Sequence, residues 1–448
     1  MKGLDGQGLD GWDPADAEAH RRITAQLESL APRGVRPGLD TIRSLLRLCG
    51  SPHRSVPTVL VGGTNGKGSV AAALASMAQA AGYRTGLFTS PHLETPADQV
   101  RIDGVPCAVE LADRLEDLAR LASEASLPIT AFEALTAAAF GIFARHSVDL
   151  AVVEAGLGGR LDSTNVASPL VSVVTTVAFD HEALLGPTLE DIARHKAGLF
   201  RRGRPAIVGW CGPVEDVLLG EAEHLGARPI VARRIVRRLH AEDRGEARQR
   251  VTVQTPRHDH RLDLQLPGVH QARNVALAVL VAEELAALGF PRLDADAIAA
   301  GARACRWPGR LESIDLPGTR PILLDAAHNP AAVEALVRHL EHLDGPFDLL
   351  FGAFKDKNFR AMLSHLGPRA REICLTRPPG PRAWDPSVLN FDHEPWATAH
   401  TLRYEPCIDT ALARCLEPLA PRLVVAGSLR LIGDIRLRLR ARAQEMAP

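Results

Sequence analysis

The stretch Pro57-Thr58-Val59-Leu60-Val61-Gly62-Gly63-Thr64-Asn65-Gly66-Lys67-Gly68-Ser69 decides how this chain is read. Residues 57–62 have the short apolar run of a buried strand, and the glycines after them mark a turn. An Ala-rich segment over about 67–81 reads as a helix, and about 84–89 as a second strand. A strand-loop-helix-strand unit of this kind belongs to a parallel sheet. In such a turn the glycines let successive backbone N–H groups face phosphate oxygens, and the helix N-terminus adds partial positive charge. Lys67 is then expected to reach the β- and γ-phosphates, with Ser69 close to phosphate or metal. The spacing departs from the usual GxxxxGK[ST], because Gly68 stands between the lysine and the hydroxyl residue.

The same reading extends outward. Buried-strand runs recur at Leu150–Glu154, Val171–Val177 and Ala206–Val208, separated by helical patterns over 109–125 and 132–145. Residues 228–266 change to short, Arg-rich alternating segments such as Arg250–Gln254, expected to form a small antiparallel appendage. A helix over about 271–288 follows, and Trp307-Pro308-Gly309-Arg310 breaks the pattern. Strands are then expected at 321–325, 347–351, 371–376 and 423–427, each but the third leading into a helix. Residues 1–20, polar and rich in Gly and Asp, read as a loosely ordered lead-in. The expected fold class is α/β. A P-loop NTPase-like parallel-sheet domain occupies 1–304, and a smaller Rossmann-like α/β domain follows over 305–448.

Composition narrows the function. The 448 residues are 46% hydrophobic and carry a net charge of -1, so nothing attracts nucleic acid or an anionic membrane. Aromatic residues, at 4%, are too scarce for a base-stacking surface interleaved with basic residues. The 7 cysteines form no CxxC pair and read as buried thiols of a reducing compartment. Neither a signal-peptide layout nor an apolar run long enough for a membrane span is visible. A monomeric, cytoplasmic protein with small-molecule substrates is expected. Of 52 basic residues only Lys2, Lys67, Lys196, Lys355 and Lys357 are lysines. A chain that uses arginine wherever charge suffices points to its lysines as places where an ammonium or a reactive amine is required.

Several chemistry-bearing residues fall at the carboxyl ends of strands, where open α/β sheets bind ligands. Ser90 follows the second strand, although a Ser-Pro pair also makes turns. Glu154 ends a buried apolar strand, where a carboxylate is costly unless paired or holding a cation. Mg²⁺ takes one or two carboxylates together with phosphate oxygens, which suits Glu154 beside the loop. His181 follows Asp180 after the next strand. Lys196 ends a helix, where it reads either as a surface charge or as a functional amine. Further on, Arg310 is a candidate phosphate contact. Asp325, with His328 just behind it, sits where a strand gives way to a helix, and Ser428 follows the last strand.

Taken in order, these segments resemble folylpolyglutamate synthase/dihydrofolate synthase, within the Mur ligase superfamily. The likeness runs from about residue 38 to 434. It rests on GTNGKGS (63–69), SPHL (90–93), TAFEALTAAAF (130–140), EAGLGGRLDSTN (154–165), DHEALLG (180–186), KAG (196–198), HQARN (270–274), WPGR (307–310), DAAHNP (325–330) and GSL (427–429). The resemblance implies coupling of L-glutamate's α-amino group to 7,8-dihydropteroate, to a folate, or to both, through an acyl phosphate. It implies ATP at Thr64, Asn65, Gly66, Lys67, Gly68 and Ser69, with Asn274, Arg310 and Asp325. Ser90, Glu154, His181 and a carbamylated Lys196 match magnesium ligands, for two ions. Lys67, Lys196 and His328 match catalytic positions. His328 and Ser428 resemble a glutamate-site pair. Thr130, Ala131, Phe132 and Glu133 resemble a pterin-contacting segment, as do Leu161, Asp162 and Ser163, with the loop around 28–36 beside them.

Three positions depart from the family pattern: Ala326 replaces a common glycine, Asn358 an acidic residue, and Arg430 a frequent aromatic. A peptidoglycan ligase acting on a UDP-sugar peptide is the alternative enzyme. It requires a further N-terminal domain, for which the segment ahead of residue 57 is too short. A nucleic-acid motor lacks its basic track contacts, and a P-loop switch needs little of the later strand-tip chemistry. A non-catalytic P-loop paralogue is opposed by intact Lys67, Glu154, His181 and Lys196.

Overall fold

The computed structural model describes residues 14–34, 36–243, 248–343, 345–380, 382–385, 394–398, 401–417 and 421–445. They divide into two compact units. The larger covers 12–265 and 270–306; the smaller covers 307–448 with the short stretch 266–269.

The larger unit is built on eight strands: β1 (Thr58–Gly62), β2 (Thr85–Phe88), β3 (Val100–Ile102), β4 (Val105–Pro106), β5 (Leu150–Glu154), β6 (Val171–Val174), β7 (Pro205–Val208) and β8 (Arg228–Val231). Their order in the sheet is β4-β3-β2-β5-β1-β6-β7-β8. Six run parallel, while β3 and β4 turn back at one edge. β1, β5 and β6 are buried along their whole length, which is why they read as unbroken apolar runs. The chain leaves β1 to one side for β2, returns through β5, and continues on the other side from β6. The carboxyl ends of β1, β5 and β6 therefore face a topological switch point, the usual ligand crevice of an open sheet.

The helix Lys67–Ala80 is apolar on nearly every face because it lies between the sheet and the helix Ala295–Ala304. A three-stranded antiparallel sheet, β9 (Arg238–Asp243), β10 (Gln249–Gln254) and β11 (Asp259–Leu264), packs through β11 on that same second helix.

The smaller unit contains β12 (Glu312–Ile314), β13 (Ile322–Leu324), β14 (Phe347–Phe351), β15 (Ala370–Leu375), β16 (Thr401–Tyr404) and β17 (Arg422–Ala426), in the order β12-β13-β17-β14-β15-β16. β12 alone is antiparallel. Inserting the last strand between β13 and β14 creates a second switch point. Phe347, Leu349, Phe351, Ile373 and Val424 are fully or almost fully buried in its core.

Two features differ from the sequence reading. The lead-in lies partly outside the described residues, but from Pro14 to Leu30 the chain is helical. That helix buries little beyond Ala19, His20, Ile23 and Leu30. It docks on the helix Ala108–Glu124, where Arg22 donates to Glu116 Oε1 at 2.8 Å and Asp113 Oδ1 at 2.7 Å. Its apolar stripe, Ala19, Ile23, Leu27 and Leu30, packs on the core but is narrow and set among charged residues, so it is faint in the sequence. β8 also joins the parallel sheet rather than the appendage. It is an edge strand with Arg228 and Pro229 exposed, so only Ile230 and Val231 carry an apolar signal. No helix among the described residues is long and apolar enough to cross a membrane.

The two helices meet most closely at Gly301, whose added Cβ would stand 2.3 Å from Met77 Cα. Ser76 Oγ donates to the Gly301 carbonyl at 2.8 Å across the same contact. Because the obstructing atoms are backbone, Gly301→Ala is expected to destabilise the protein by about 3 kcal/mol. Chemical denaturation checks this; an unchanged midpoint contradicts the close crossing.

Candidate active site

The phosphate-binding loop is held by the neighbouring strand. Beyond β6, Thr175 Oγ1 donates to the Asn65 carbonyl at 2.7 Å, and the Asn65 N–H donates to Thr176 Oγ1 at 3.0 Å. Thr64 N–H donates to the Thr176 carbonyl at 2.8 Å, and Thr64 Oγ1 accepts the Ala178 N–H at 3.1 Å. Two loop glycines are required sterically. Gly63 has φ 141°, and an added Cβ would lie 1.9 Å from Thr175 Oγ1. Gly66 has φ 86°, and its Cβ would lie 2.3 Å from Asn274 Oδ1. Asn274, buried and receiving no charge of its own, thus stands against the loop, its amide N–H₂ donating to Gln271 at 3.0 Å. Gly68 and Ser69 open the following helix and are buried.

Lys67 bends back over the loop. Its Nζ donates to the Thr64 carbonyl at 3.1 Å and lies 3.9 Å from Glu154 Oε1. Glu154, 5% exposed, also accepts the Ser90 N–H on Oε2 at 3.2 Å. The ends of β1, β2 and β5 therefore converge on one buried carboxylate. His181, beyond β6, is exposed in a left-handed conformation with φ 55°, and its Nε2 lies 3.7 Å from Asp180 Oδ1.

Lys196 is 3% exposed, and its ammonium forms no salt bridge with any described residue. Burial, and secondarily the nearby Lys67 charge, lower its pKa to about 7, against the attraction of Asp180, Cys211 and Asp162. This excludes the alternative of a surface charge at a helix end. The loop after β5 closes over it. Arg160 N–H donates to the His195 carbonyl at 2.8 Å, and a Cβ on Gly159 would stand 2.8 Å from His195 O and 2.9 Å from Lys196 O. Asp162 organises the same loop, accepting Leu157 N–H at 2.7 Å and Thr164 N–H at 3.0 Å. Burial raises the pKa of Asp162. Leu161 is exposed and Ser163 buried beside it.

Thr130 and Glu133 form a capping box at the start of the helix Ala131–Arg145: Glu133 Oε2 accepts Thr130 N–H at 2.8 Å and Oγ1–H at 2.9 Å. Between them Ala131 and Phe132 are partly exposed, and the Phe132 ring lies where a Cβ on Gly156 would be. The segments around 130–133 and 161–163 are thus brought to the same loop. Of the loop around 28–36, residue 35 lies outside the described residues.

In the smaller unit, Asp325 is buried at the end of β13 and accepts Leu311 N–H and Ala327 N–H, each at 2.9 Å. Burial raises its pKa, opposed first by Arg310. His328 Nδ1–H donates to the Ala326 carbonyl at 2.9 Å; a carbonyl only accepts, so in the neutral ring the lone pair is on Nε2. Gly427 N–H donates to the Ala327 carbonyl at 2.9 Å, so His328 and Ser428 leave adjacent strand ends together. Ser428 Oγ is buried with no hydrogen-bond partner. Asn358, where the family pattern has an acidic residue, caps the helix Phe359–Leu366 by accepting Ala361 N–H at 3.2 Å.

Sequence reasoning passed over Thr175, Thr176, Asn165 and Arg201. Asn165 Nδ2 donates to the Arg160 and Gly198 carbonyls at 3.0 and 3.1 Å, tying the loop to the end of the Lys196 helix. Arg201 donates to the carbonyls of Asn165, Ala167, Gly198, Leu199 and Phe200 and, at 2.6 Å, to Asn165 Oδ1. A pairing of distant residues through backbone carbonyls has no sequence signature; only the Asn at the close of the EAGLGGRLDSTN run hinted at it. Among the described residues no group of three or more His, Cys, Asp or Glu side chains is gathered for a metal.

Known proteins are similar to this chain in sequence and fold. The chain matches the Mur ligase middle domain over residues 61–282 and the Mur ligase glutamate ligase domain over 309–429. It is 33% identical over 426 residues to the dihydrofolate synthase/folylpolyglutamate synthase of Bacillus subtilis, covering 91% of this chain and 96% of that one. It is 34% identical over 421 residues to a probable bifunctional folylpolyglutamate synthase/dihydropteroate synthase of Haloferax volcanii, covering 90% of this chain but only 48% of that longer protein. The Mycobacterium tuberculosis folylpolyglutamate synthase solved with ADP and AMPPCP superposes with a TM-score of 0.83 at 32% identity, covering 94% of this chain and 98% of that one.

Replacing Arg201 by Met strands several buried carbonyls around the Lys196 helix and is expected to cost about 3 kcal/mol of stability. Arg201→Lys, which keeps one donor group, should recover part of that loss. Urea unfolding of the three proteins decides it, and an Arg201→Met curve superimposing on the wild type contradicts the assignment.

Proposed function

The chain belongs to the folylpolyglutamate/dihydrofolate synthases of the Mur ligase family, and from that premise we propose an ATP-dependent acid–amino-acid ligase. It joins the α-amino group of L-glutamate to a carboxylate of 7,8-dihydropteroate, of a folate, or of both. The observation that carries this reading is the meeting of Lys67 and Glu154, 3.9 Å apart, at the mouth of a glycine loop. A buried carboxylate beside the loop lysine suits a magnesium-bound triphosphate whose γ-phosphoryl group is transferred.

A carboxylate oxygen of the acceptor attacks the γ-phosphorus of ATP, and the bond to the β-phosphate oxygen breaks, leaving ADP and an acyl phosphate. The uncharged amine of glutamate then attacks the acyl carbon. A tetrahedral intermediate collapses with loss of phosphate, and the nitrogen gives up a proton. Loop N–H groups and the Lys67 ammonium bind the phosphates and stabilise charge as the γ-phosphoryl moves. Thr64 to Ser69, with Asn274, Arg310 and Asp325, bind the nucleotide. Residues 1–304 form the ATP-binding domain with the pterin site, at Thr130–Glu133 and Leu161–Ser163. Residues 305–448 form the glutamate-binding domain, where His328 and Ser428 hold the amino acid. The unpartnered Ser428 hydroxyl suits a carboxylate acceptor there.

Magnesium would be held by Glu154, a buried carboxylate at the end of β5, with the Ser90 hydroxyl beyond β2 and the His181 imidazole beyond β6. Two ions bound there would supply positive charge to the phosphates. Lys196 joins this set as a carbamate, formed when its neutral amine adds to carbon dioxide with loss of a proton. The support is a buried amine without a salt-bridge partner, in a chain that otherwise prefers arginine.

Incubation with ATP, magnesium, L-glutamate and either dihydropteroate or tetrahydrofolate is expected to release phosphate and add one glutamate residue by mass. Absence of a glutamate-dependent product with both acceptors overturns the proposal. With ¹³C-bicarbonate, wild-type protein is expected to show a carbamate carbon resonance that Lys196→Ala lacks, together with at least a hundredfold loss of activity, about 3 kcal/mol. Identical spectra for the two proteins remove the carbamate.

A further inference from the structure

We propose that Trp210, backed by Arg273, stacks on the purine base of the bound nucleotide and so sets base affinity; this rests on the ligase reading above. Trp210 directly follows the short loop residue after β7. It is half-buried, whereas Trp384 and Trp396 are buried in the core of the smaller unit. The Arg273 guanidinium lies over its ring, 5.9 Å from the centroid, and fixes one face. Its indole N–H donates to no described residue.

The position is set by elements that also hold the phosphate loop. Arg273 and Asn274 are consecutive on the helix Val269–Ala287; Asn274 stands against Gly66 while Arg273 reaches Trp210. From the other side, β7 pairs with β6, whose continuation anchors Asn65 through Thr175 and Thr176. Gly209 lies directly on this continuation, since its added Cβ would be 2.1 Å from the Thr175 carbonyl. β7 is two strands from β1, roughly 10 Å at ordinary strand spacing, which is the reach from the phosphates of a nucleotide to its base.

The alternative partner for an indole at this edge is the pterin ring. The segments read as pterin-contacting, around 130–133 and 161–163, gather at the loop after β5, on the opposite side of β1 from β7. The phosphates at the β1 loop thus have the acceptor on one flank, which leaves the β7 flank to the base. Stacking is tolerant of base identity because every base has a π-face, so the adenine of ATP is accepted there.

The test is calorimetric titration of full-length wild type, Trp210→Ala and Trp210→Phe with ADP and, separately, with inorganic tripolyphosphate. Trp210→Ala should bind ADP about tenfold more weakly, within the range of one base–aromatic stack, while tripolyphosphate affinity stays within twofold. Trp210→Phe should keep ADP affinity within about threefold. In turnover, the KM for ATP should rise in Trp210→Ala with the KM for glutamate and for the pterin acceptor unchanged. Equal ADP affinity in wild type and Trp210→Ala overturns the stacking assignment alone. An equal loss for tripolyphosphate overturns it too, because the residue then acts on the loop. A wild type that binds no ADP overturns both this inference and the ligase reading.

Discussion

A carboxylate and two amines share one dry strand edge, and much of the larger unit follows from making that possible. Glu154 cannot be buried at the end of β5 without positive charge or hydrogen-bond donors around it. Lys67 and the Ser90 N–H meet that need from β1 and β2. Lys196, buried nearby, is pushed toward neutrality by the same dryness. Such an edge forms only where strands from both sides of β1 end together. The strand order β2-β5-β1-β6 provides that.

The surrounding glycines and threonines hold this arrangement in place. Gly63 and Gly66 let the loop approach Thr175 and Asn274 more closely than a side chain allows, and Gly159 does the same between the β5 loop and the Lys196 helix. Arg201 and Asn165 then bind that loop to the helix end through backbone carbonyls on both sides of the join. The smaller unit repeats the logic around β13, β17 and β14, where Asp325 is spent on backbone N–H groups and His328 and Ser428 follow the adjacent ends of β13 and β17. The first set of contacts suits phosphate transfer, and the second suits capture of a small zwitterion.

Much of this was legible in the sequence because it follows from single segments. Residues 57–69 carry strand, turn and helix within one reach of chain, and each strand-tip residue is marked by the apolar run before it. Rare lysine pointed to Lys67 and Lys196. What stayed hidden depends on pairings across the chain. The helix Pro14–Leu30 has only a narrow apolar stripe, Ala19, Ile23, Leu27 and Leu30, and its Arg22 pairs with carboxylates far along the chain. β8 has only two buried residues and was absorbed into the Arg-rich region after it. Arg201, in a run of arginines, is indistinguishable from surface charge until its six acceptors are seen. Thr130 and Glu133 were legible as a segment, but their mutual capping box shows that their side chains serve the helix start first.

The central claim is that this strand edge activates a carboxylate by phosphorylating it. Its most direct test labels both carboxylate oxygens of the pteroyl or folyl acceptor with ¹⁸O and follows the label through one round of ligation. Attack of that carboxylate on the γ-phosphate predicts one ¹⁸O in each phosphate released and one fewer in the amide product. Unlabelled phosphate, formed at the same rate as product, contradicts the account.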